Sequence, residues 1–319
     1  MLNRRHVRIK VLQSLYSHYS SGNEFTERET ERNLTNSLYQ FYNLYLYLML
    51  FIKELALFAE RYDAEKKVRH IQPTMETNIN SKFYDNILVK KIIEDTFLEN
   101  ALSDNKIIWD TEDIDIIRKV FNDLRNQEAY KDFMSSTKNE EQENFEILSF
   151  VIKHYPLNFS LLEQHLEDKF LHWNDDAKPT VQMVSKSFKI IYAEPEIEDI
   201  LVPISSDKKM TFGFAQDLLK ISIQNNDNFN ELISEKIDKW EPSRIALIDA
   251  LILKMGLAEF LFFPQIPIKV TINECIELAK NYSTPNSKKF VNGVLDNLLK
   301  QLEKDNKINK KGIGTINNN

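Results

Sequence analysis

The chain of 319 residues carries a formal net charge of −7 and an apolar fraction of 42%, enough to bury the core of one large or two ordinary domains. Only 6 Gly occur, and none lies in a phosphate-cradling G-x-G-x-x-G or G-x-x-x-x-G-K-[ST] loop, which disfavours nucleotide-dependent enzymes. One cysteine and six histidines, without H-E-x-x-H or Glu-x-x-His, predict no disulfide, no metal site and no cofactor, so we expect no enzyme.

The first predicted element is a helix over residues 4–19, with apolar side chains at helical spacing on one side. Its start is basic, with Arg4, Arg5, His6, Arg8 and Lys10 in the first turns. Such a cluster neutralises phosphates and predicts RNA contact, although a basic run is also typical of an ordinary solvated helix face. No export signal is recognised in this opening, so a cytoplasmic location is expected.

Arg8 is a special case within the basic cluster, because a helical wheel turns it toward the apolar side of the helix. It either contacts RNA or pairs with a core-facing acid such as Asp249.

A second helix is predicted over residues 37–62 and is dense in aromatic residues. Core packing is the simpler interpretation of this stripe, and a base-stacking platform is the alternative. The apolar run 44–52 is too short to span a membrane, and the run 245–263 contains Asp249, Lys254 and Glu259. Both runs are interpreted as buried core helices, and no membrane association is expected.

Residues 84–191 show four or five further amphipathic patterns, clearest over 114–124 and 145–155, with a polar loop over 138–143. Two prolines then bracket an acidic connection that predicts a boundary near 195–210. No repeat and no strand-like alternation is found. The predicted fold class is therefore all-α.

Five more helices are predicted near the carboxyl end, over 217–223, 229–240, 243–263, 271–282 and 286–302. Thr271 and Glu274 form a capping-box pattern that predicts a helix start at Thr271. Cys275 lies in the apolar stripe of the same helix and is expected to be a small buried residue. The polar tail over 304–319 is predicted to be disordered.

The last helix begins with Asn286, Ser287, Lys288, Lys289 and Phe290. A helix amino terminus attracts anions, two lysines strengthen that attraction, and an aromatic ring can stack on a base. In the alternative interpretation, Asn286 or Ser287 is an ordinary cap and Phe290 is a core residue.

Several segments resemble the signature of the NusB transcription antitermination family. They are PIKVTINECIELAK over 267–280, SKKFVNGVLD over 287–296, RIALIDALILKMGLAEFL over 244–261, and the arginine-rich opening over 4–17. The resemblance covers about residues 1–21 and 210–302. It implies an all-helical bundle of two packed subdomains.

The resemblance also implies a function. Family members bind the boxA element of nascent RNA together with the ribosomal protein NusE, in an RNA polymerase antitermination complex acting on ribosomal RNA operons. By this resemblance, RNA contacts are expected at Arg4, Arg5, Arg8 and His6 on the first helix. At the last helix they carry over to Asn286 and Phe290, beside Lys288 and Lys289. Contacts with NusE carry over to Tyr16 and Asp249.

The departure from the family is size, since residues 25–205 are read as a helical insertion of unknown role. On that division, residues 1–24 form the first helix of the NusB-like core and residues 206–303 its carboxyl-terminal part. Three alternatives remain. The first is a scaffold that binds only proteins and has lost RNA binding. The second is an RNA methyltransferase, which would need glycine-rich turns and a cysteine nucleophile. The third is membrane association, which would require the aromatic helix to be exposed.

Overall fold

The computed structural model describes residues 1–22, 25–68, 80–137, 141–236 and 245–310. Within these ranges the chain forms fifteen α-helices and one short 3-10 helix at Thr111–Asp113, with no strand, which confirms the predicted all-α class. The helices are α1 Arg4–Ser20, α2 Glu27–Val68, α3 Asn80–Tyr84, α4 Ile87–Glu94, α5 Thr96–Asp104, α6 Ile114–Leu124, α7 Glu128–Ser135, α8 Glu141–Asn158, α9 Ser160–Lys169, α10 Trp173–Ala193, α11 Lys208–Gln224, α12 Asn226–Ser234, α13 Leu247–Phe262, α14 Ile268–Tyr282 and α15 Ser287–Lys304.

The helices divide into two compact units. One contains residues 2–38 and 207–319, and the other contains residues 39–206 together with Met1. The division falls inside α2, whose first turns belong with α1 and whose remainder belongs with α3–α10.

In the unit of residues 2–38 and 207–319, α13 is the central helix. It packs against α1, α11, α12, α14 and α15, and apolar side chains are buried all around it. A helix that is hydrophobic on every side is stable only when neighbours cover it completely. The run over 245–263 is thus a core helix, as predicted, although residues 243 and 244 of the predicted helix lie outside the described residues.

Several helix starts differ from the prediction: α11 begins at Lys208 rather than at residue 217, and α12 at Asn226 rather than at residue 229. Two others involve a capping box, and the first is that of α2, which begins at Glu27 rather than at residue 37. The Thr26 hydroxyl accepts from the Glu29 amide, and the Glu29 carboxylate accepts from the Thr26 amide at 2.8 Å. This reciprocal capping box satisfies two backbone donors and explains the earlier start.

The second is that of α14, where the predicted capping box is wrong. The helix begins at Ile268, directly after Pro267, so Thr271 lies inside the first turn and is buried. Its hydroxyl donates to Glu259 at 2.7 Å, and Glu274 accepts from Arg5. Cys275 is buried as predicted.

The unit of residues 39–206 packs α8 against α10, with α4 contacting both. Seven helices, α4–α10, fall between residues 84 and 193, more than the four or five predicted. Rings of the aromatic stripe on α2 at Tyr45, Tyr47 and Phe51 are fully buried, which supports core packing over a base-stacking platform. The Tyr45 hydroxyl accepts from the Val202 amide at 3.0 Å.

Residues 27–62 of α2 are long and apolar enough to cross a membrane by length and composition. However, 67% of the most apolar window is buried inside the protein, as in the core helix of a globular protein.

Of the tail over 304–319 predicted to be disordered, residues 304–310 are described, with Lys304 the last residue of α15, and residues 311–319 lie outside the described residues. The Lys310 ammonium donates to the Glu259 and Phe263 carbonyl oxygens at 2.7 and 2.9 Å, which satisfies carbonyls at the end of α13.

Two helical glycines make a matched pair for testing how closely α13 packs. A Cβ on Gly256 would lie 2.8 Å from a Leu295 methyl and 3.3 Å from the Cys275 sulfur, whereas nothing lies within 4 Å of a Cβ on Gly213. Both alanine substitutions gain up to about 1 kcal/mol of helix propensity, and only Gly256→Ala also overpacks the core, at about 1–3 kcal/mol. We expect urea denaturation to show that Gly256→Ala is less stable than Gly213→Ala by about 1–3 kcal/mol, the cost of overpacking. Equal stabilities would contradict the close approach.

Candidate nucleic-acid interface

The basic residues at the start of α1 do not all face solvent. Arg4 is exposed, and its guanidinium lies over the Phe214 ring at 4.9 Å. Arg5 donates two hydrogen bonds to the Glu274 carboxylate at 2.9 and 2.8 Å, with 53% of its side chain exposed. These hydrogen bonds raise the pKa of Arg5 above its usual value. The charge of Arg4 is therefore more available to an external ligand than the charge of Arg5.

Arg8 belongs to the core. Its guanidinium donates to both Glu259 oxygens, at 2.6 and 2.9 Å, and only 2% of the residue is exposed. Desolvation opposes the charge of Arg8, but the hydrogen bonds and charge of Glu259 outweigh it and raise the Arg8 pKa. The core pairing considered for Arg8 is thus present, with Glu259 instead of Asp249 as the acid, and the suggested RNA contact of Arg8 is withdrawn because RNA cannot reach a buried guanidinium.

His6 is also enclosed, with 5% of the residue exposed. Its backbone amide donates to the Asn3 side chain, which caps the start of α1. A ring in this position does not present a surface charge, so the accessible basic groups in the first turn of α1 reduce to Arg4 and Arg5.

The start of α15 borders an open pocket of about 620 Å³. Asn286, Lys289 and Phe290 line it, together with Lys236 and Asp249, whereas Lys288 is exposed but is not among the lining residues. The Asn286 side chain makes no capping hydrogen bond to the first turn of α15, and the amides of Ser287 and Lys289 donate to the Thr284 and Asn286 carbonyl oxygens. The pocket therefore combines a helix amino terminus, lysine charge and a half-buried aromatic ring.

Asp249 forms one wall of this pocket and is only 6% exposed. Its Oδ2 accepts from the Ser287 hydroxyl at 2.7 Å, and its Oδ1 is buried without a hydrogen-bond partner among the described residues. Because the Ser287 hydroxyl has one proton and gives it to Asp249, it accepts from the neighbouring Ser283 and Thr284 hydroxyls at 2.9 and 2.8 Å. The carboxylate is thereby held in place, with its Oδ1 shielded from solvent.

Tyr16, the other residue assigned to partner binding, lies near the carboxyl end of α1 and is 45% exposed. It does not line the pocket at α15. Its assignment to a partner surface stays a prediction.

The acids that pair with the arginines of α1 are Glu259 and Glu274, and neither was predicted from the sequence as an arginine partner. Glu259 lies within an apolar run, where a buried acid requires a cation nearby. That requirement was the sequence signal that could have predicted its pairing with an arginine. Glu274 was assigned to a cap. Lys236 gave no signal, because its place at the pocket comes from tertiary packing alone.

Charge is divided unevenly along the sequence. Residues 39–206 contain 19 Lys and Arg against 30 Asp and Glu, a formal charge of −11, and the rest of the chain has a formal charge of +4. The overall value of −7 thus hides a basic unit that contains α1 and α15.

Comparisons with known proteins match a range that lies mostly, but not wholly, in this unit, since residues 188–206 of that range belong to the other one. The NusB family model matches residues 188–300. The chain is 41% identical to "Transcription antitermination protein NusB" of Salinibacter ruber over 117 residues, 37% of this chain and 72% of that protein. The protein of the same name from Chloroherpeton thalassium is 35% identical, with 37% of this chain and 54% of that protein covered.

A solved structure of T. maritima NusB has 37% sequence identity, covers 36% of this chain and 75% of that one, and gives a TM-score of 0.29. Identity of 41% across almost three quarters of a NusB protein identifies the relationship. The chain belongs to the NusB family.

Proposed function

We propose that this chain is an RNA-binding transcription antitermination factor. In this proposal it binds boxA RNA together with the ribosomal protein NusE, within an antitermination complex of RNA polymerase, in the cytoplasm. The observation that carries the proposal is the set of exposed cations, Arg4, Lys288 and Lys289, on a unit with a formal charge of +4 in a NusB-family chain.

The proposed mechanism is binding without catalysis. Exposed Arg4 and the partly exposed Arg5 would neutralise phosphates, as would Lys288 and Lys289 beside the amino terminus of α15. Asn286 offers an amide to a base edge, and Phe290 offers an aromatic face to an unstacked base. Tyr16 is proposed to contact NusE, and the acidic unit of residues 39–206 would favour the approach of a basic ribosomal protein through charge complementarity.

A scaffold that binds only proteins is the second candidate, and one observation favours it. Arg5 and Arg8 both hold acids of their own chain, so fewer cations are available to RNA than the sequence suggests.

RNA binding by the unmodified chain decides between the two. We expect fluorescence anisotropy to show that a boxA RNA oligonucleotide binds more tightly than a shuffled oligonucleotide, that NusE strengthens the binding, and that the logarithm of the affinity falls linearly with the logarithm of the salt concentration. Absence of binding at low salt, with and without NusE, would favour the scaffold.

A further inference from the structure

A groove on the unit of residues 39–206 takes no part in the proposed function. It lies where α4 meets the start of α8 and the end of α10, and its volume is about 220 Å³. We propose that this groove binds a basic segment of a partner protein, and that the segment inserts one apolar side chain into it. Such binding is independent of RNA and gives the unit a role beyond its overall charge.

The first observation is an apolar surface that is open to solvent. Ile87 and Tyr192 line the groove with 44% and 37% of their surfaces exposed, and the exposed Pro195 lines it as well. An apolar side chain that enters the groove removes this surface from water, which favours binding. The groove therefore favours an apolar group as its occupant.

The ring of Tyr192 is already held in place before any partner binds. It lies 5.3 Å from the Phe145 ring, and its hydroxyl donates to the Gln142 side-chain oxygen at 3.1 Å. A side chain that is fixed in advance loses little conformational freedom on binding. Tyrosine is also among the residues that contribute most to protein interfaces, so Tyr192 is the expected anchor of this one.

The size of the groove favours a side chain over a whole small molecule. Its volume of about 220 Å³ is below the range typical of small-ligand sites, about 300–1,000 Å³. A single large apolar side chain needs less room than a metabolite, and the rest of its segment lies along the open rim.

The rim of the groove is acidic. Glu94, Glu141 and Glu196 line the groove, and all three are exposed. More exposed acids follow α10 directly, and they are Glu194, Glu198 and Asp199. Carboxylates placed beside an apolar floor attract a segment that combines positive charge with an apolar side chain.

Two lysines also line the groove, and they do not reverse its charge. The Lys90 ammonium lies 2.8 Å from the Asp85 carboxylate, so its charge is matched by an acid outside the lining. Lys91 is then opposed by three lining acids. The groove is therefore negative, as is its unit with a formal charge of −11.

This charge selects among the possible occupants. RNA and an anionic lipid surface both present phosphates, which the carboxylates repel. The same groove on a second copy of the chain carries the same negative charge and is repelled as well. A lysine- or arginine-rich protein segment satisfies both the charge and the apolar surface.

The test uses a phage-displayed library of random dodecapeptides and needs no RNA, so its outcome does not depend on the proposed function. Phage that bind the variant Ile87→Ser are removed first, and the remainder is selected on the unmodified chain. We expect the selected peptides to be rich in lysine or arginine and to contain a large apolar residue. Selection of acidic or uncharged peptides, or of none, would overturn the proposal.

The affinities of the selected peptides are then measured by fluorescence anisotropy. Ile87→Ser should weaken binding roughly 10-fold, as expected for an important interface residue. The control Leu171→Ser removes an apolar side chain that is 91% exposed and does not line the groove, and it should leave the affinity unchanged. Equal losses in the two variants would show that the peptides do not use the groove.

A second pair of variants tests the charge without altering the apolar floor. Changing Glu94, Glu141 and Glu196 to glutamine should weaken peptide binding and flatten its salt dependence. The control changes three exposed glutamates of the same unit that do not line the groove, and they are Glu60, Glu128 and Glu167. Equal effects of the two triple variants would contradict a basic occupant.

The other occupants have their own signatures. Loss of RNA binding in Ile87→Ser, loss of binding to phosphatidylglycerol vesicles, or loss of self-association in sedimentation velocity would each identify a different occupant and overturn the proposal. Circular dichroism checks that the variant is folded, which is expected because Ile87 is exposed at the start of α4.

Discussion

Replacing Arg8 with alanine is expected to lower the free energy of unfolding by about 3–5 kcal/mol. The substitution leaves Glu259 as a buried carboxylate whose remaining side-chain hydrogen bond, within the part of the chain that the structure describes, comes from the Thr271 hydroxyl. A carboxylate left in the low-dielectric core without its cation keeps its desolvation cost uncompensated. Urea denaturation followed by circular dichroism measures the loss.

Two variants sharpen this prediction. Arg4→Ala removes an exposed guanidinium from the same helix and should lower stability by no more than about 1 kcal/mol, the contribution expected of its contact with the Phe214 ring. The double variant Arg8→Met with Glu259→Met removes both charges while keeping much of the volume, and should recover most of the stability. A loss below about 1 kcal/mol for Arg8→Ala would show that the pair does not form in solution.

Much of the fold was predictable because it depends on local patterns. Scarce glycine and helical spacing of apolar residues predicted the all-α class, and the boundaries 114–124 match α6 as observed. The start of α15 was predicted one residue early. Such features are set by propensity and periodicity within one helix.

The capping-box motif shows where prediction from local sequence fails. Thr26 and Glu29 form a real capping box that was overlooked, because the residues after it are polar and show little apolar periodicity. Thr271 and Glu274 have the same spacing but form no cap. There Pro267, whose ring fixes φ, lies at the cap position and starts the helix earlier.

The candidate site was harder to predict because its partners come from different helices. A helical wheel shows that Arg8 faces the core, but α13 is buried on all sides, so the wheel cannot choose between Asp249 and Glu259. The placement of Asp249 at the pocket depends on Ser287, a contact across 38 positions of sequence. Only tertiary packing supplies that information.

The second large effect concerns RNA. The triple variant Arg4→Ala, Lys288→Ala and Lys289→Ala removes three exposed cations from the unit that contains α1 and α15. We expect it to bind boxA RNA roughly 10- to 100-fold more weakly, because fewer condensed counterions are released. Since each phosphate contact on a single strand contributes about 0.7 to the salt slope, the slope should become shallower by about 2.

A matched control has the same change in net charge. Lys119, Lys153 and Lys178 are exposed lysines of the unit of residues 39–206. Changing all three to alanine should leave both the affinity and the salt slope close to those of the unmodified chain. If this control weakens binding as much as the first triple variant, the effect comes from net charge alone.

The slope of log affinity against log salt, measured for the unmodified chain and both triple variants, tests most directly whether RNA is held by the first turns of α1 and α15. We expect a shallower slope for the variant at residues 4, 288 and 289 alone. An unchanged slope in that variant would contradict it.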